Sequence, residues 1–129
     1  REGVWRYVAS CEVFAVGHEW PDDRLDLLAD EAAVSAARDA PASDVLWALR
    51  HSLAHGGVTY LDEDGRQRRD AANMLGFASF VTGTKRQRLR LVRVSVKEFR
   101  IFLGLWANWL GEVGVQKALE DPGYFQTAE

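Results

Sequence analysis

Apolar residues recur every three or four positions in four stretches of the chain, which is the spacing of an amphipathic helix. Pro21 suits the first turn of the second stretch because its φ is already fixed. Gly56 suits the end of the third stretch because glycine adopts the left-handed C-terminal cap at little cost. Ser95 and Glu98 have the spacing of a capping box before the fourth. The pattern predicts helices over about 3–16, 21–38 and 44–55, and from the capping box to about 119.

The segment between the third and fourth predicted helices has a different pattern. Residues 58–61 and 75–81 are short runs rich in β-branched, aromatic and other apolar side chains, and the acidic, glycine-containing segment 62–65 is typical of a turn. Residues 89–96 alternate imperfectly between apolar and basic or polar side chains, which predicts a strand with one cationic face. We therefore expect a small antiparallel hairpin or sheet inserted at about 57–94.

Helices with one small β insertion predict a mainly α fold. A chain of 129 residues has enough apolar side chains, 47%, for one core, so we expect a single domain over 1–129. Cys11 is the only cysteine, which excludes an intramolecular disulfide and suits a reducing compartment. The most apolar stretch, 101–110, is too short to cross a membrane. These observations predict a cytoplasmic protein without a membrane partner.

Charge is distributed unevenly along the chain. The net charge is −3, yet residues 66–100 contain ten basic side chains and only two acidic ones, a local surplus of eight. Such asymmetry creates a positive field on part of an acidic protein. We therefore consider five residues as candidate RNA contacts, with a solvated strand face as the alternative. They are Lys85, Arg86, Arg88, Arg90 and Arg93.

The end of the third predicted helix carries the residues best suited to chemistry. His51 and His55 are four residues apart and therefore lie on one face, and the helix dipole favours the protonated form of a histidine in the last turn. An imidazole that titrates near neutral pH serves as a general acid or base. Arg50 stays charged and offers a planar set of donors suited to phosphate. These three residues form the candidate site.

The spacing of Arg50 and His55 affects how they could share a substrate. Five residues correspond to about 140° around an ideal helix axis, so one helix presents the two side chains in different directions. Two such helices meeting across a twofold axis would bring both groups to one site. The spacing therefore favours a composite site in a homodimer.

Residues 49–57, Leu-Arg-His-Ser-Leu-Ala-His-Gly-Gly, resemble the Arg-x(4–6)-His motif of HEPN domains. The specific similarity is confined to these nine residues, while the order of predicted helices resembles the family more loosely. The resemblance implies a HEPN-like helical bundle that dimerises with its motifs facing each other. It also implies a metal-independent endoribonuclease, often a toxin of a toxin–antitoxin or defence system, with Arg50 and His55 catalytic and His51 supporting. RNA, a second copy and a cognate antitoxin are the partners it implies.

Other interpretations of the same residues stay open. Arg50 could pair with Asp44 or another acid, and His55 could simply cap the helix end. His51 and His55 could bind a metal, but no His-Glu-x-x-His motif is present, so we predict neither a metal nor a cofactor. Some HEPN proteins do not cleave RNA. The alternative function is thus a non-catalytic module that binds a nucleotide, a nucleic acid or a protein.

Overall fold

The computed structural model describes residues 4–68, 70–83 and 85–113. This part of the chain forms four helices and four strands. In order they are β1 (Arg6–Glu12), α1 (Asp22–Ala29), α2 (Glu31–Asp39), α3 (Ala42–His55), β2 (Val58–Leu61), β3 (Met74–Phe80), β4 (Arg88–Ser95) and α4 (Val96–Val113).

The strands form one antiparallel sheet in the order β1-β4-β3-β2. The prediction of a mainly α fold, a HEPN-like helical bundle with a small β insertion, is therefore wrong. The sheet is not confined to the predicted insertion at about 57–94, because β1 comes from the beginning of the chain and pairs with β4. The protein is a mixed α/β fold in which helices pack on a four-stranded sheet.

A β-bulge explains why β1 was predicted as a helix. Val8 pairs with Leu91 and Cys11 pairs with Leu89, so three steps along β1 match two steps along β4. The irregularity returns both apolar side chains to the same face, although a regular strand would need an even spacing. A spacing of three in a strand is indistinguishable in sequence from the spacing of a helix.

The second predicted helix is interrupted once. Asp30 has an extended backbone, with φ −71° and ψ 144°, and its side chain accepts a hydrogen bond from the backbone N–H of Ala32. Aspartate is a favourable N-cap, so the chain ends α1 and restarts as α2 at this residue. The break allows the two helices to pack differently, with α2 making extensive contact with β1.

Helices cover both faces of the sheet. Successive side chains of β4 point to opposite sides and therefore contact different helices. Leu89 and Leu91 pack with Trp20 and α1, and we call this side the closed face. Val92 and Val94 pack with α3 and the first turns of α4, and we call that side the site face. The predicted single cationic face of this strand is wrong, because Arg90 lies on the site face whereas Arg93 lies on the closed face.

Several local predictions are confirmed. Residues 58–61 form β2, and the segment 62–65 is a turn in which the Asp62 carboxylate accepts the backbone N–H groups of Asp64 and Arg66. The Ser95 hydroxyl accepts the N–H of Glu98 at the start of α4. The last predicted helix is described only to Val113, so its extension to about 119 lies outside the described residues. None of the described helices is both long enough and apolar enough to cross a membrane.

Candidate functional site at the end of α3

The end of α3 is fixed to β3 by backbone contacts. Ser52 is buried, and its hydroxyl lies 2.6 Å from the carbonyl oxygen of Ala48 and 3.0 Å from that of Ala78. Gly56 adopts the left-handed conformation, with φ 74°, and ends the helix as predicted. Gly57 is needed for a different reason, because a Cβ there would overlap the Ala78 carbonyl. The last turn of α3 is thus held against the middle of the sheet.

Four side chains form a continuous series of contacts along the site face. His51 and His55 have ring centroids 4.3 Å apart, with an angle of 48° between the rings. His51 also stacks on Trp47, with centroids 4.4 Å apart and an angle of 12°. The Arg90 guanidinium carbon lies 5.6 Å from the centre of the Trp47 ring. We call Arg90, Trp47, His51 and His55 the ladder.

The ladder includes two residues whose part in the site the sequence did not reveal. Trp47 precedes His51 by four residues and His55 by eight, so helical spacing alone could have indicated it. Arg90 was considered only as an RNA contact, because its approach to Trp47 depends on how α3 crosses β4. The prediction that His51 and His55 lie on one face of α3 is confirmed by the contact between their rings.

The surroundings of His51 favour its neutral form. Desolvation by burial lowers the pKa of His51, and the charges of His55 and Arg50 lower it further. A buried base is harder to protonate because its cation loses hydration, and neighbouring cations add repulsion. His51 is therefore uncharged at neutral pH, in contact with a second imidazole.

Arg50 lies on a different side of α3 from the ladder's histidines. It is exposed and borders an apolar groove of about 400 Å³ between α3 and α4. The groove is lined mainly by leucine and aromatic side chains, among them Leu49, Phe99 and Phe102. Its charge still acts on His51, so the three predicted site residues share one end of the helix.

The predicted RNA contacts are divided by the fold. Lys85 and Arg86 are exposed in the turn between β3 and β4, and Arg88 is half-buried with its Nε donating to the Ser10 hydroxyl at 2.7 Å. Arg90 belongs to the ladder. Arg93 is only 5% exposed and lies on the closed face opposite Arg6, so it is not available to a nucleic acid.

The remaining candidate chemistry is limited. Across residues 4–68, 70–83 and 85–113, no group of three or more His, Cys, Asp or Glu side chains is arranged to hold a metal ion. Cys11 is buried in the closed face, where desolvation raises the pKa of its thiol and disfavours the reactive thiolate.

Comparison of the chain with protein-family models, with curated proteins and with solved structures gave no match. The similarity to HEPN domains therefore rests on residues 49–57 alone. Any function assigned to the site has to be argued from its side chains.

Proposed function

We propose that the protein is a metal-independent endoribonuclease in which Arg50 and His55 act on the RNA backbone. The observation that carries this proposal is the contact between the rings of His51 and His55 at the exposed end of α3. Arg50 directly precedes His51 in the chain. Paired imidazoles beside a guanidinium provide a proton acceptor, a proton donor and a charge that stabilises phosphate. The resemblance of residues 49–57 to the HEPN motif supports the same chemistry.

In the proposed reaction, the His55 imidazole removes the proton from an RNA 2′-hydroxyl. The 2′-oxygen attacks the adjacent phosphorus, and Arg50 stabilises the negative charge that develops on the phosphate oxygens. The bond from phosphorus to the 5′-oxygen breaks, and the His55 imidazolium or water returns a proton to that oxygen. The products are a 2′,3′-cyclic phosphate and a 5′-hydroxyl. His51 supports His55 through their ring contact.

The proposal includes a homodimer that meets through α3 and α4. The five-residue spacing turns Arg50 and His55 in different directions around α3, so a second copy would bring an Arg50 to a His55. Leu53 and Leu103 line the groove and are 59% and 41% exposed. Exposed apolar side chains of this kind are typical of a surface that another protein covers.

RNA would approach from the end of the sheet that carries the turn between β3 and β4. Ser79 of β3 pairs with Arg90, and the backbone N–H of Ala78 donates to the carbonyl oxygen of Gly57 just after α3, so this turn and the helix end are neighbours. Lys85, Arg86 and Arg88 would contact phosphates there, with an affinity that falls as salt rises. A role in defence or as a toxin, a cognate antitoxin and a cytoplasmic location rest on the HEPN resemblance and the composition.

A non-catalytic binding module is the alternative. The apolar groove beside Arg50 favours it, because a cavity of about 400 Å³ with one charged group at its edge has the size and lining of a small-molecule site. In that case a nucleotide or another anionic ligand would bind at Arg50 without being turned over.

Cleavage of total RNA by the purified protein in excess chelator tests the proposal. The wild type is expected to degrade RNA, and His55→Ala and Arg50→Ala to reduce the rate at least a hundredfold. His18→Ala is the matched control, because His18 is an exposed histidine outside the site and its loss should leave the rate unchanged. Equal rates for the wild type and His55→Ala would refute the assignment. Binding of a nucleotide without cleavage would favour the alternative.

A further inference from the structure

We infer that Arg90, Trp47 and His51 are positioning residues that fix the ring of His55. This inference deepens the proposed function and rests on it where turnover is concerned. The geometric part of the inference, that each ring of the ladder holds the next, concerns the free protein and is tested without RNA.

His55 needs such support because of where it lies. It is exposed in the last turn of α3, next to the αL glycine that ends the helix. An exposed side chain at a helix end samples several rotamers, and a reaction that needs one of them loses rate in proportion. Contact with His51 at 4.3 Å restricts the ring of His55 to one side of the helix.

The support of His55 becomes more rigid toward the protein interior. His51 is half-buried and lies nearly parallel to Trp47, which is only 8% exposed. Trp47 also lines the groove, but its ring lies between the Arg90 guanidinium and the His51 ring, and these two contacts limit its rotamers. Trp47 therefore restricts the position of the His51 ring, and His51 restricts that of the exposed His55 ring.

Arg90 connects this arrangement to the sheet. It comes from β4 rather than from α3, and its guanidinium lies over the Trp47 ring. The Nε of Arg90 is buried and has no hydrogen-bond partner within the described residues, so the aromatic ring is the contact that the structure provides for this part of the side chain. Attraction between a cation and an aromatic face then holds Trp47 against the strand.

Several charged groups surround the ladder and bear on its titration. Arg50 and His55 act on His51 from α3, and Arg90 approaches from β4. Asp44 and Arg90 also act on Tyr7 of β1, so both lie near this part of the site face. The charged groups that act on His51 in the described part of the chain are both cationic, which favours a neutral His51. A neutral His51 can stay in contact with His55 when His55 carries a proton, because no like-charge repulsion separates them.

Proton NMR of the imidazole rings during a pH titration tests the geometric part. The chain has three histidines, and His18 serves as the internal reference. In the wild type, the His51 ring protons should be shifted upfield by Trp47 and should titrate below about pH 6.5, the ordinary value for histidine. In Trp47→Ala, those protons should move downfield, the midpoint should rise and the His55 signals should change. Trp47→Phe should restore most of the pattern.

Arg90→Met keeps the Trp47 ring and therefore tests the ladder even if Trp47→Ala does not fold. It should broaden or shift the His51 and His55 signals. Arg88→Met is the matched control from the same strand and should leave them unchanged, because Arg88 bonds to Ser10 instead. Unchanged histidine spectra in folded Arg90→Met and Trp47→Ala proteins would overturn the inference.

Turnover supplies the second readout. Trp47→Ala should lower kcat at least threefold with little change in KM, and Trp47→Phe should recover it. A loss confined to KM would overturn the positioning role. If the wild type cleaves no RNA, the proposed function fails, while the NMR result still decides whether the ladder orders His55.

Discussion

On the closed face of the sheet, Leu28 of α1 meets Leu89 and Leu91 of β4, and none of these three side chains is exposed. On the site face, α3 and α4 leave an apolar groove, and Leu53 remains 59% exposed. The two faces use similar side chains but bury them to different extents. The closed face contributes core packing, whereas the site face leaves side chains available to a substrate or partner.

The arginines show the same contrast. On the closed face, Arg6 and Arg93 are paired across the strands and almost fully buried. On the site face, Arg50 is exposed and Arg90 lies over an aromatic ring. Burying a guanidinium in the core costs free energy because the cation loses hydration. On the site face, the exposed Arg50 keeps access to solvent and the Arg90 guanidinium contacts an aromatic ring. An exposed guanidinium such as that of Arg50 is accessible to an anion, whereas the buried guanidinium groups of Arg6 and Arg93 are not.

The largest expected difference between the faces is in stability. Leu28→Ala leaves a cavity in the closed face and should lower the free energy of unfolding by about 2–5 kcal/mol. Leu53→Ala removes the same atoms from the site face and should change it by less than about 0.5 kcal/mol. Urea denaturation of both variants at low protein concentration checks the pair. Similar losses in the two variants would show that the groove is as well packed as the closed face.

The second comparison is between two buried arginines. Arg6 Nη1 donates to the carbonyl oxygens of Leu28, Ala29 and Asp30 at 3.1, 3.0 and 3.2 Å, so Arg6→Met should cost about 1–3 kcal/mol. Arg93 makes no ion pair with any residue that the structure describes. Burial, with the charges of Arg6 and Arg66, lowers the pKa of Arg93 to about 10.

Arg93→Met should therefore be neutral or raise the free energy of unfolding by about 1 kcal/mol, because it removes a buried charge that makes no ion pair within the described part of the chain. Thermal denaturation of the two variants side by side measures the difference. A loss for Arg93→Met as large as that for Arg6→Met would mean that the guanidinium of Arg93 stabilises the closed face.

The smallest expected effect is a pH dependence that comes from the site face. The pKa of His51 is lowered in the folded protein, so the unfolded chain binds a proton more readily. Below about pH 6.5 this difference favours unfolding, and the penalty disappears at higher pH, where His51 is neutral in both states. Stability should thus fall between pH 7.5 and pH 5, and His51→Gln should reduce that fall. An unaltered pH profile in His51→Gln would assign the effect to other groups.

The comparison also shows what could be predicted from sequence. The end of α3, strand β2 and the start of α4 were predictable, because glycine caps, β-branched runs and capping boxes act locally. Strand β1 was not, because its bulge gives Val8 and Cys11 a helical spacing and its pairing with β4 is distant in sequence. The types and spacing of Arg50, His51 and His55 indicate a candidate site, and their functional roles stay a prediction. Excluding Arg93 from the candidate RNA contacts required knowledge of the register of the sheet, which no local sequence pattern specifies.

Cleavage of a defined oligonucleotide tests the central claim most directly. A labelled RNA and a version with every 2′-hydroxyl replaced by hydrogen are incubated with the protein in excess chelator, and the product ends are identified by mass. The proposed mechanism predicts that only the RNA is cut and that each cut leaves a 2′,3′-cyclic phosphate. Cleavage of the deoxy strand, or RNA products that end in a 3′-hydroxyl, would contradict it.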